Sequence, residues 1–359
     1  MFLTTLLFLA VDTLVPPAWQ KQVTVRPQTG FIIPHADDLR AVSASRPVGL
    51  TLEYSRTALS QAAFARSNCF ARVGTYLTYT TFNNPAELGE SVGTGAFFEP
   101  MIRAGKPLFF SVRTTAGLVL LSRVYDPVSN PRNTFFSTPL SGFLGISFST
   151  HYRVGHRLEA SLMASYNHIS NGGTRLPNRG MNYPMLGLGI TYYTHHAEFP
   201  DTRLWPEPPL TARHLTRLVG FGSIRTVLGE AALPTQLTWL LGFTGTYAYC
   251  LSRFHALGAG LEVVQDGYLR EVLRRSGLPG SAWQVAPLAG YELGLGRYTF
   301  ATYLGYVLNQ PASQPGSPLF QRYQLLYNLP GGAVLGVGLK ARLQVAEGFD
   351  IRVGWRFQR

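Results

Sequence analysis

Apolar and polar residues alternate at every second position along many segments of this chain. The clearest segment runs from Gly332 to Val345, where Leu335, Val337 and Leu339 share one face. A period of two is typical of a β-strand with one apolar face and one polar or tightly packed face. The last segment repeats the pattern and ends on Phe357. The alternation therefore predicts an all-β protein.

Fifteen strands of this kind are predicted. They lie at about 47–57, 71–82, 90–101, 108–123, 142–153, 157–169, 183–195, 216–227, 237–250, 253–266, 283–294, 297–308, 318–328, 332–345 and 350–357. Some connections are tight, namely Leu251-Ser252, Gly294-Leu295-Gly296 and Pro330-Gly331. Others are long, namely 124–141, 170–182, 267–282 and 309–317. Tight turns at one end and long loops at the other are typical of outer-membrane barrels, whose strand number is usually even.

We therefore predict a transmembrane antiparallel β-barrel of about 14 strands, within a range of about 12 to 16. Either 47–57 lies outside the barrel or a further strand lies near 23–33. A single barrel domain over 21–359 follows an export signal predicted at 1–20, which begins with an apolar run. The Pro-rich segment 196–213 is predicted as a long connection at the periplasmic end, for which the barrel pattern offers no reason.

The composition argues against two other classes of protein. Only 14% of the 359 residues are charged, yet beyond the N-terminus no run of about 18 apolar residues could form a spanning helix. The net charge of +12 comes from scattered side chains rather than from the basic stripe of a nucleic-acid-binding module. It fits a surface that meets anionic lipid and fits simple solubility equally well. Cys69 and Cys250 fit an oxidising compartment, and the sequence does not pair them.

Candidate chemistry lies at the end of strand 157–169. Apolar residues up to Tyr166 occupy its predicted lipid-facing side, and the same period carries that face on to His168 and Ser170. A titratable histidine is costly at the end of an apolar outward face unless it has a partner. Asn182 begins the outward face of the next strand, so the three side chains are predicted to meet outside the barrel wall.

A serine hydroxyl is a weak nucleophile until an imidazole accepts its proton, and a third group normally orients the imidazole. Residues i and i+2 of a strand share a face with their Cα atoms about 7 Å apart, which puts His168 within reach of Ser170. His-x-Ser is nevertheless common by chance. Taken alone, an interfacial histidine beside a loop serine is the simpler interpretation.

The wider segment is more distinctive. The run His168-Ile169-Ser170-Asn171-Gly172-Gly173, followed by Pro177-Asn178-Arg179-Gly180-Met181-Asn182, resembles the signature of the lipid A 3-O-deacylase (PagL) family, also called acyloxyacyl-hydrolase-like outer-membrane proteins. The close resemblance spans about 157–195, and 84–89 and 125–133 look like segments of longer members. The resemblance implies that His168 is the general base and Ser170 the nucleophile. It also implies that Asn171, Asn178 and loop amides such as that of Gly172 hold the oxyanion.

One position departs from the family pattern. The family's acid lies fourteen residues after the histidine, where this sequence has Asn182. Asparagine can orient an imidazole but does not stabilise an imidazolium as a carboxylate does, and in a serine protease Asp→Asn lowers turnover roughly 10⁴-fold. Glu159 is predicted to face inward, and Asp126 and Glu87 lie in other loops. Asn182 is therefore the predicted third member.

The predicted function is removal of an ester-linked acyl chain from lipid A, or lipopolysaccharide, in the bacterial outer membrane, without a cofactor. Arg175 and Arg179 are candidates for binding lipid A phosphates, or are simply exposed loop cations. The pair His195-His196 lies near the opposite strand end, and no metal site is predicted.

Two alternatives stay open at this stage. A pore, scaffold or lipid-binding barrel without catalysis is one, and single-channel conductance would reveal a pore. An acyltransferase that passes the fatty acid to another acceptor is the other, and its product would reveal it.

Overall fold

The computed structural model describes residues 19–34, 39–206, 209–210, 212–229, 233–310, 317–342 and 345–359. The predicted export signal, 1–20, lies outside the described residues except for its last two positions. Most of the described chain is β-structure. Within the described ranges, no helix is both long enough and apolar enough to cross a membrane.

Sixteen strands and three short α-helices form the described chain. The first eight strands are β1 (Trp19–Gly30), β2 (Val48–Ala58), β3 (Ala71–Thr81), β4 (Glu90–Ile102), β5 (Leu108–Leu121), β6 (Leu140–Val154), β7 (Leu158–Ser170) and β8 (Met181–His195). The other eight are β9 (His214–Val227), β10 (Gln236–Cys250), β11 (His255–Asp266), β12 (Trp283–Leu295), β13 (Tyr298–Tyr306), β14 (Leu319–Asn328), β15 (Ala333–Arg342) and β16 (Val345–Gln358). The helices are α1 (Arg40–Ser43), α2 (Gln61–Ser67) and α3 (Gly267–Ser276).

The strands close into two antiparallel barrels of eight strands each. β1 pairs with both β2 and β8, which closes the first ring, and β9 pairs with both β10 and β16, which closes the second. The predicted antiparallel all-β barrel fold is confirmed. The expectation of one ring of about 14 strands is wrong, because the strands assigned to a single domain over 21–359 form two rings. All fifteen predicted strands are present, and the sixteenth is β1, which overlaps the further strand considered at 23–33.

The length of the connection 196–213 is explained by the two rings. It leads from the end of β8 to the start of β9 and therefore joins the two rings. The alternating pattern reports which face of each strand is apolar, and this is the same whether sixteen strands form one ring or two. Ring number is set by which strands pair at the closures, which local periodicity does not encode.

Both barrels present an apolar belt outward. Leu162 and Leu188 in the first barrel, and Leu241 and Val353 in the second, are all more than half exposed. Large aromatic side chains are also exposed near both ends of the second barrel, as in the girdles of membrane barrels: Trp239, Trp283, Tyr298 and Trp355. The outer surface is therefore built to face lipid.

Buried ionic side chains fill the interior of the first barrel. Arg113 donates hydrogen bonds to Glu53 at 2.7 Å and to Glu99 at 2.8 Å, and Arg72 donates to Glu159 at 2.6 Å. An eight-stranded barrel is just wide enough for its own side chains to fill, and buried charges persist only when paired in this way. A cavity of about 60 Å³ beside this network leaves room for a few water molecules.

The second barrel repeats this interior design with different residues. Arg322 donates to Glu262 at 2.5 Å and to Asp350 at 2.7 Å, and all three side chains are buried. The described side chains of both interiors thus occupy the space that an open channel would need.

Long loops cover one end of the first barrel, which we call the site end. Buried Asn133 donates to the backbone oxygens of Glu87 at 2.9 Å and Arg123 at 3.2 Å, which ties two of these loops together. Around this tie lies an apolar cluster formed by Ile32, Leu39, Val42, Phe82, Leu88, Val119, Leu121, Phe135, Phe136, Ile169, Met181, Tyr183 and Met185. The loops are therefore a folded support rather than loose connections.

The two barrels contact each other at both ends. At the site end, Thr226 at the end of β9 donates a hydrogen bond to the backbone oxygen of Thr174. At the opposite end, Arg253 donates to the backbone oxygen of Ala65 in α2. The rings therefore lie side by side. Each contains one cysteine, Cys69 or Cys250, and both thiols are free.

Candidate active site

The candidate site lies on the outer wall of β7 and β8 at the site end. Tyr166 is exposed whereas Asn167 is buried, so His168 and Ser170 lie on the lipid-facing side, as the period of two predicts. Both are half-buried. Gly142 of β6 pairs with Ser170 and, having no side chain, leaves that flank of the serine open.

His168 and Asn182 are direct cross-strand partners. Nδ1 of His168 lies 2.7 Å from Oδ1 of Asn182. Because an amide oxygen only accepts, Nδ1 is the nitrogen that carries the proton in this pair, and Nε2 of a neutral imidazole is then the basic one. Asn182 is itself held in place, because the backbone N–H of Ile33 donates to the backbone oxygen of Asn182 at 2.9 Å.

Gly180 packs directly against the imidazole. A Cβ atom at this position would lie 2.8 Å from Cε1 of His168, and the residue has a φ of +69°. Only glycine combines this approach with this backbone conformation. The N–H of Gly180 donates to the backbone oxygen of Phe135 at 2.9 Å, which anchors the site to the apolar cluster below.

Two donors converge on the hydroxyl oxygen of Ser170. The backbone N–H of Gly172 donates to it at 3.1 Å, and Nδ2 of Asn178 donates at 2.9 Å. Asn178 is turned this way because its Oδ1 accepts the backbone N–H of Asn171 at 3.2 Å. Preorganised donors beside a nucleophile are what stabilises charge that develops on a neighbouring oxygen during acyl transfer.

The side chain of Asn171 is used differently from the prediction that it holds the oxyanion. Its Nδ2 donates to the backbone oxygen of Arg175 at 2.8 Å, and its Oδ1 accepts from the N–H of Gly173 at 2.9 Å. The amide is thus committed to folding the loop, because a loop with two glycines needs internal hydrogen bonds to hold one shape. The backbone N–H of Asn171, rather than its side chain, is hydrogen-bonded to the asparagine that donates to Ser170.

Arg175 and Arg179 lie on the same loop with exposed side chains. The backbone N–H of Arg179 donates to the carbonyl oxygen of Thr134 at 3.1 Å, so the loop position of this arginine is fixed. Both remain candidates for contact with an anionic head group.

Carboxylates elsewhere do not replace Asn182. Glu159 faces the barrel interior, as predicted, and is almost fully buried in its ion pair. Glu87 forms an ion pair with Arg132 of the loop between β5 and β6. Hydrogen bonds from the backbone and side chain of Ser129 hold the pKa of the exposed Asp126 carboxyl below its usual range. The third member of the site is therefore an amide.

His195 and His196 lie at the far end of β8 from the site, as predicted. The ring of His196 packs edge-on against His156, with centroids 5.9 Å apart. In the part of the chain that the structure describes, no group of three or more His, Cys, Asp or Glu residues is placed to hold a metal ion.

Sequence reasoning assigned no role to two supporting residues, Gly180 against the imidazole and the buried Asn133, although both lie in segments that carry the family resemblance. The family-like segments 84–89 and 125–133 were the available signal, because their asparagines and carbonyls form the tie that supports the site. Their contribution depends on contacts between residues more than 40 positions apart, which local patterns do not report.

Among solved structures, Neisserial surface protein A is similar at 13% identity and a TM-score of 0.32, over 49% of this chain and 96% of that chain. A deletion mutant of the TodX monoaromatic hydrocarbon channel is similar at 9% identity and 0.21, over 95% and 89%. A triple-mutant porin of Rhodopseudomonas blastica is similar at 9% and 0.18, over 94% and 100%. No curated protein matches the chain.

Family models divide the chain where the structure does. The model described as lipid A 3-O-deacylase (PagL) matches residues 18–191, and the model described as acyloxyacyl hydrolase, C-terminal domain, matches residues 214–359. The first match covers the first barrel almost completely, and the second covers the whole of the second barrel. The chain therefore belongs to the lipid A 3-O-deacylase (PagL) family, with the C-terminal domain of that family as its second barrel.

Proposed function

We propose that this chain is an outer-membrane esterase that removes an ester-linked acyl chain from lipid A, with Ser170 as nucleophile, His168 as base and Asn182 as the residue that orients the base. One observation carries the proposal: His168 and Ser170 share the lipid-facing side of β7, and Nδ1 of His168 is bonded to Oδ1 of Asn182 at 2.7 Å. Family membership supports the substrate class, since the matching model is named for lipid A.

The acylation step follows from the geometry. Nε2 of His168 takes the hydroxyl proton of Ser170 as Oγ bonds to the ester carbon, which gives a tetrahedral oxyanion. Nδ2 of Asn178 and the N–H of Gly172, which already point at Oγ, donate to that oxyanion. When the intermediate collapses, the bond to the sugar oxygen breaks and the imidazolium protonates that oxygen.

The deacylation step returns the enzyme to its starting state. Water attacks the acyl-serine carbon, and His168 accepts a proton from that water. The bond to Oγ then breaks, Oγ recovers the proton from the imidazolium, and a free fatty acid leaves. Asn182 keeps Nδ1 protonated throughout, although its neutral amide stabilises the imidazolium less than a carboxylate would.

The location suits an amphiphilic substrate. The site opens outward at the end of an apolar belt, where acyl chains of the outer leaflet meet their head groups. Arg175 and Arg179 lie on the loop side of the serine, where charge-assisted hydrogen bonds to phosphate would hold the head group. The filled interiors of both barrels weigh against the alternative of a pore.

Mass spectrometry of lipid A after incubation with the refolded full chain tests the proposal. We expect loss of one acyl chain as free fatty acid, and retention of all chains with Ser170→Ala. Ser165→Ala is the matched control, because this serine lies on the inward face of the same strand, where it donates to the backbone oxygen of Met185 at 3.4 Å and accepts from Nδ2 of Asn167 at 3.1 Å. Intact lipid A with the folded wild type would overturn the proposal, and transfer of the fatty acid to an acceptor would identify an acyltransferase.

A further inference from the structure

The loop that carries the oxyanion donors touches the second barrel. Thr226, on the outward face of β9, donates a hydrogen bond at 2.8 Å to the backbone oxygen of Thr174. Its side chain is only 8% exposed, whereas Leu218 on the same face of β9 is 42% exposed. The first barrel therefore covers the site end of β9 and leaves the rest of that face to lipid.

This contact connects to the serine through an unbroken series of hydrogen bonds. Oγ1 of Thr174 donates to the backbone oxygen of Asn171 at 3.0 Å. The N–H of Asn171 donates to Asn178 at 3.2 Å, and Asn178 donates to Ser170 at 2.9 Å. The position of an oxyanion donor is thus fixed, at its far end, by a residue of the other barrel.

A second residue of that barrel lies beside the other oxyanion donor. A Cβ atom on Gly172 would lie 3.5 Å from Cδ2 of Phe349 on β16. Phe349 is partly covered, whereas Ile351 and Val353, which follow it on the same outward face, are 71% and 58% exposed. The phenyl ring therefore lies where the apolar face of β16 reaches the serine loop.

We propose that the second barrel is part of the active site, with Thr226 as a positioning residue for the Ser170 loop and Phe349 as a residue that bounds the path of the acyl chain. This inference rests on the proposed function and deepens it. Gly172 and Gly173 give the loop backbone a wide range of conformations, so hydrogen bonds within the loop are supplemented by a rigid anchor on a strand of the second barrel. The phenyl group of Phe349 offers a fatty acyl chain an apolar surface beside Gly172.

The two roles predict different kinetic effects. Loss of the Thr226 hydroxyl should misplace Asn178, so kcat should fall about 10-fold with KM unchanged, since a small displacement at a catalytic group costs rate rather than binding. Loss of the Phe349 ring should raise KM for long-chain esters about 5-fold and leave short-chain esters unaffected, because only a long chain would reach it.

The experiment uses the full chain refolded in detergent, with Thr226→Val, Thr226→Ser and Phe349→Ala. Thr299→Val is the matched control, because Thr299 is also a buried threonine of the second barrel and accepts a hydrogen bond from Nδ2 of Asn328 at 3.0 Å, at the end of the barrel away from the site. Hydrolysis of short-chain and long-chain esters is measured together with hydrogen exchange of the amides in 171–178. We expect faster exchange and lower kcat with Thr226→Val, recovery with Thr226→Ser and no change with Thr299→Val.

Failure of this inference can be distinguished from failure of the proposed function. Unchanged exchange and unchanged kcat in Thr226→Val, with an active wild type, would overturn the positioning role alone. An unchanged KM for long-chain esters in Phe349→Ala would overturn the second role. A folded wild type that hydrolyses neither ester nor lipid A overturns the proposed function and any active-site role with it, while the exchange measurement still decides whether Thr226 holds the loop.

Discussion

The two barrels have walls of the same kind and differ in what covers the end at which the candidate site lies. Each ring has eight antiparallel strands, an apolar outer face and a buried ionic interior. Loops cover the first barrel by packing on each other, and they carry the Ser170 loop on top of an apolar cluster. The helix α3 packs on β9 and β10 at the end of the second, with Leu269 and Leu273 buried beneath it. The same lipid-facing wall therefore occurs with two different end structures, and the proposed chemistry depends on the folded loop layer of the first barrel.

The largest expected effect compares a histidine from each barrel. His168 bonds to Asn182, whereas His214 at the start of β9 bonds to the hydroxyl of Tyr247 at 2.5 Å. His168→Gln removes the base, and we expect kcat to fall by on the order of 10³ or more. His214→Gln should leave kcat within about twofold, since it lies at the other end of the wall. Steady-state hydrolysis of an ester substrate measures both, and equal effects would contradict the assignment of the site to the first barrel.

The next effect is a gain. Asn182→Asp would supply a carboxylate to the imidazolium, and we expect kcat to rise by on the order of 10², below the roughly 10⁴-fold change seen when the tautomer is also wrong. The smaller figure follows because Oδ1 of Asn182 already accepts from Nδ1. Asn309→Asp, on a loop of the second barrel, is the control. A fall in kcat with Asn182→Asp would show that the neutral amide is the functional group.

A smaller effect should come from the tie beneath the site. Asn133→Ala removes the two hydrogen bonds that Nδ2 of Asn133 donates to the backbone oxygens of Glu87 and Arg123, and it should cost about 1 to 3 kcal/mol in the free energy of unfolding of the loop layer. We expect lower kcat and faster amide exchange in 125–136, with the strands of both barrels unaffected. Exchange mass spectrometry separates these regions, and a uniform loss of protection throughout the first barrel would contradict a separate loop layer.

The smallest effect concerns α3. Hydrogen bonds from Arg274 and Arg275 lower the pKa of Glu271 to about 2. A folded pKa below the ordinary value means that this contribution to stability is present above about pH 4.5 and is lost as the pH falls through about 2. Amide exchange in α3 should therefore stay slow from pH 7 to pH 4 and rise near pH 2. Glu271→Gln should show fast exchange already at pH 7, with the Ser170 loop unchanged.

Much of this molecule could be predicted from local patterns. Alternation located the strands and placed Tyr166, His168 and Ser170 on one face, because side-chain direction on a strand depends only on a period of two. Pairing at the ring closures was not predictable in this way. Closure joins Lys21 to His195 and Phe221 to Arg352, and such distant contacts depend on the whole ring.

The site was predicted only in part for a similar reason. Asn182 faces His168 because β7 and β8 pair in register, and the position of Asn182 at the start of the outward face of β8 allowed us to anticipate this. Of the two asparagines predicted to hold the oxyanion, Asn178 donates to Ser170 whereas Asn171 donates to the backbone of Arg175, because the loop must satisfy its own backbone groups before it can present a donor. Thr226 and Phe349 belong to the second barrel, and the sequence of the Ser170 loop contains no pattern that predicts contact with them.

The closure of each ring on its own terminal strands has a consequence for biogenesis. Every strand that seals the first ring has been synthesised once the chain reaches His195, and the second ring is sealed by its own last strand, β16. Machinery that inserts such proteins into a bilayer therefore has two ring closures to complete in one polypeptide. The second closure involves the 146 residues of the second family match. If the loop over Ser170 is set only when Thr226 arrives, hydrolytic competence would mark completion of the second insertion.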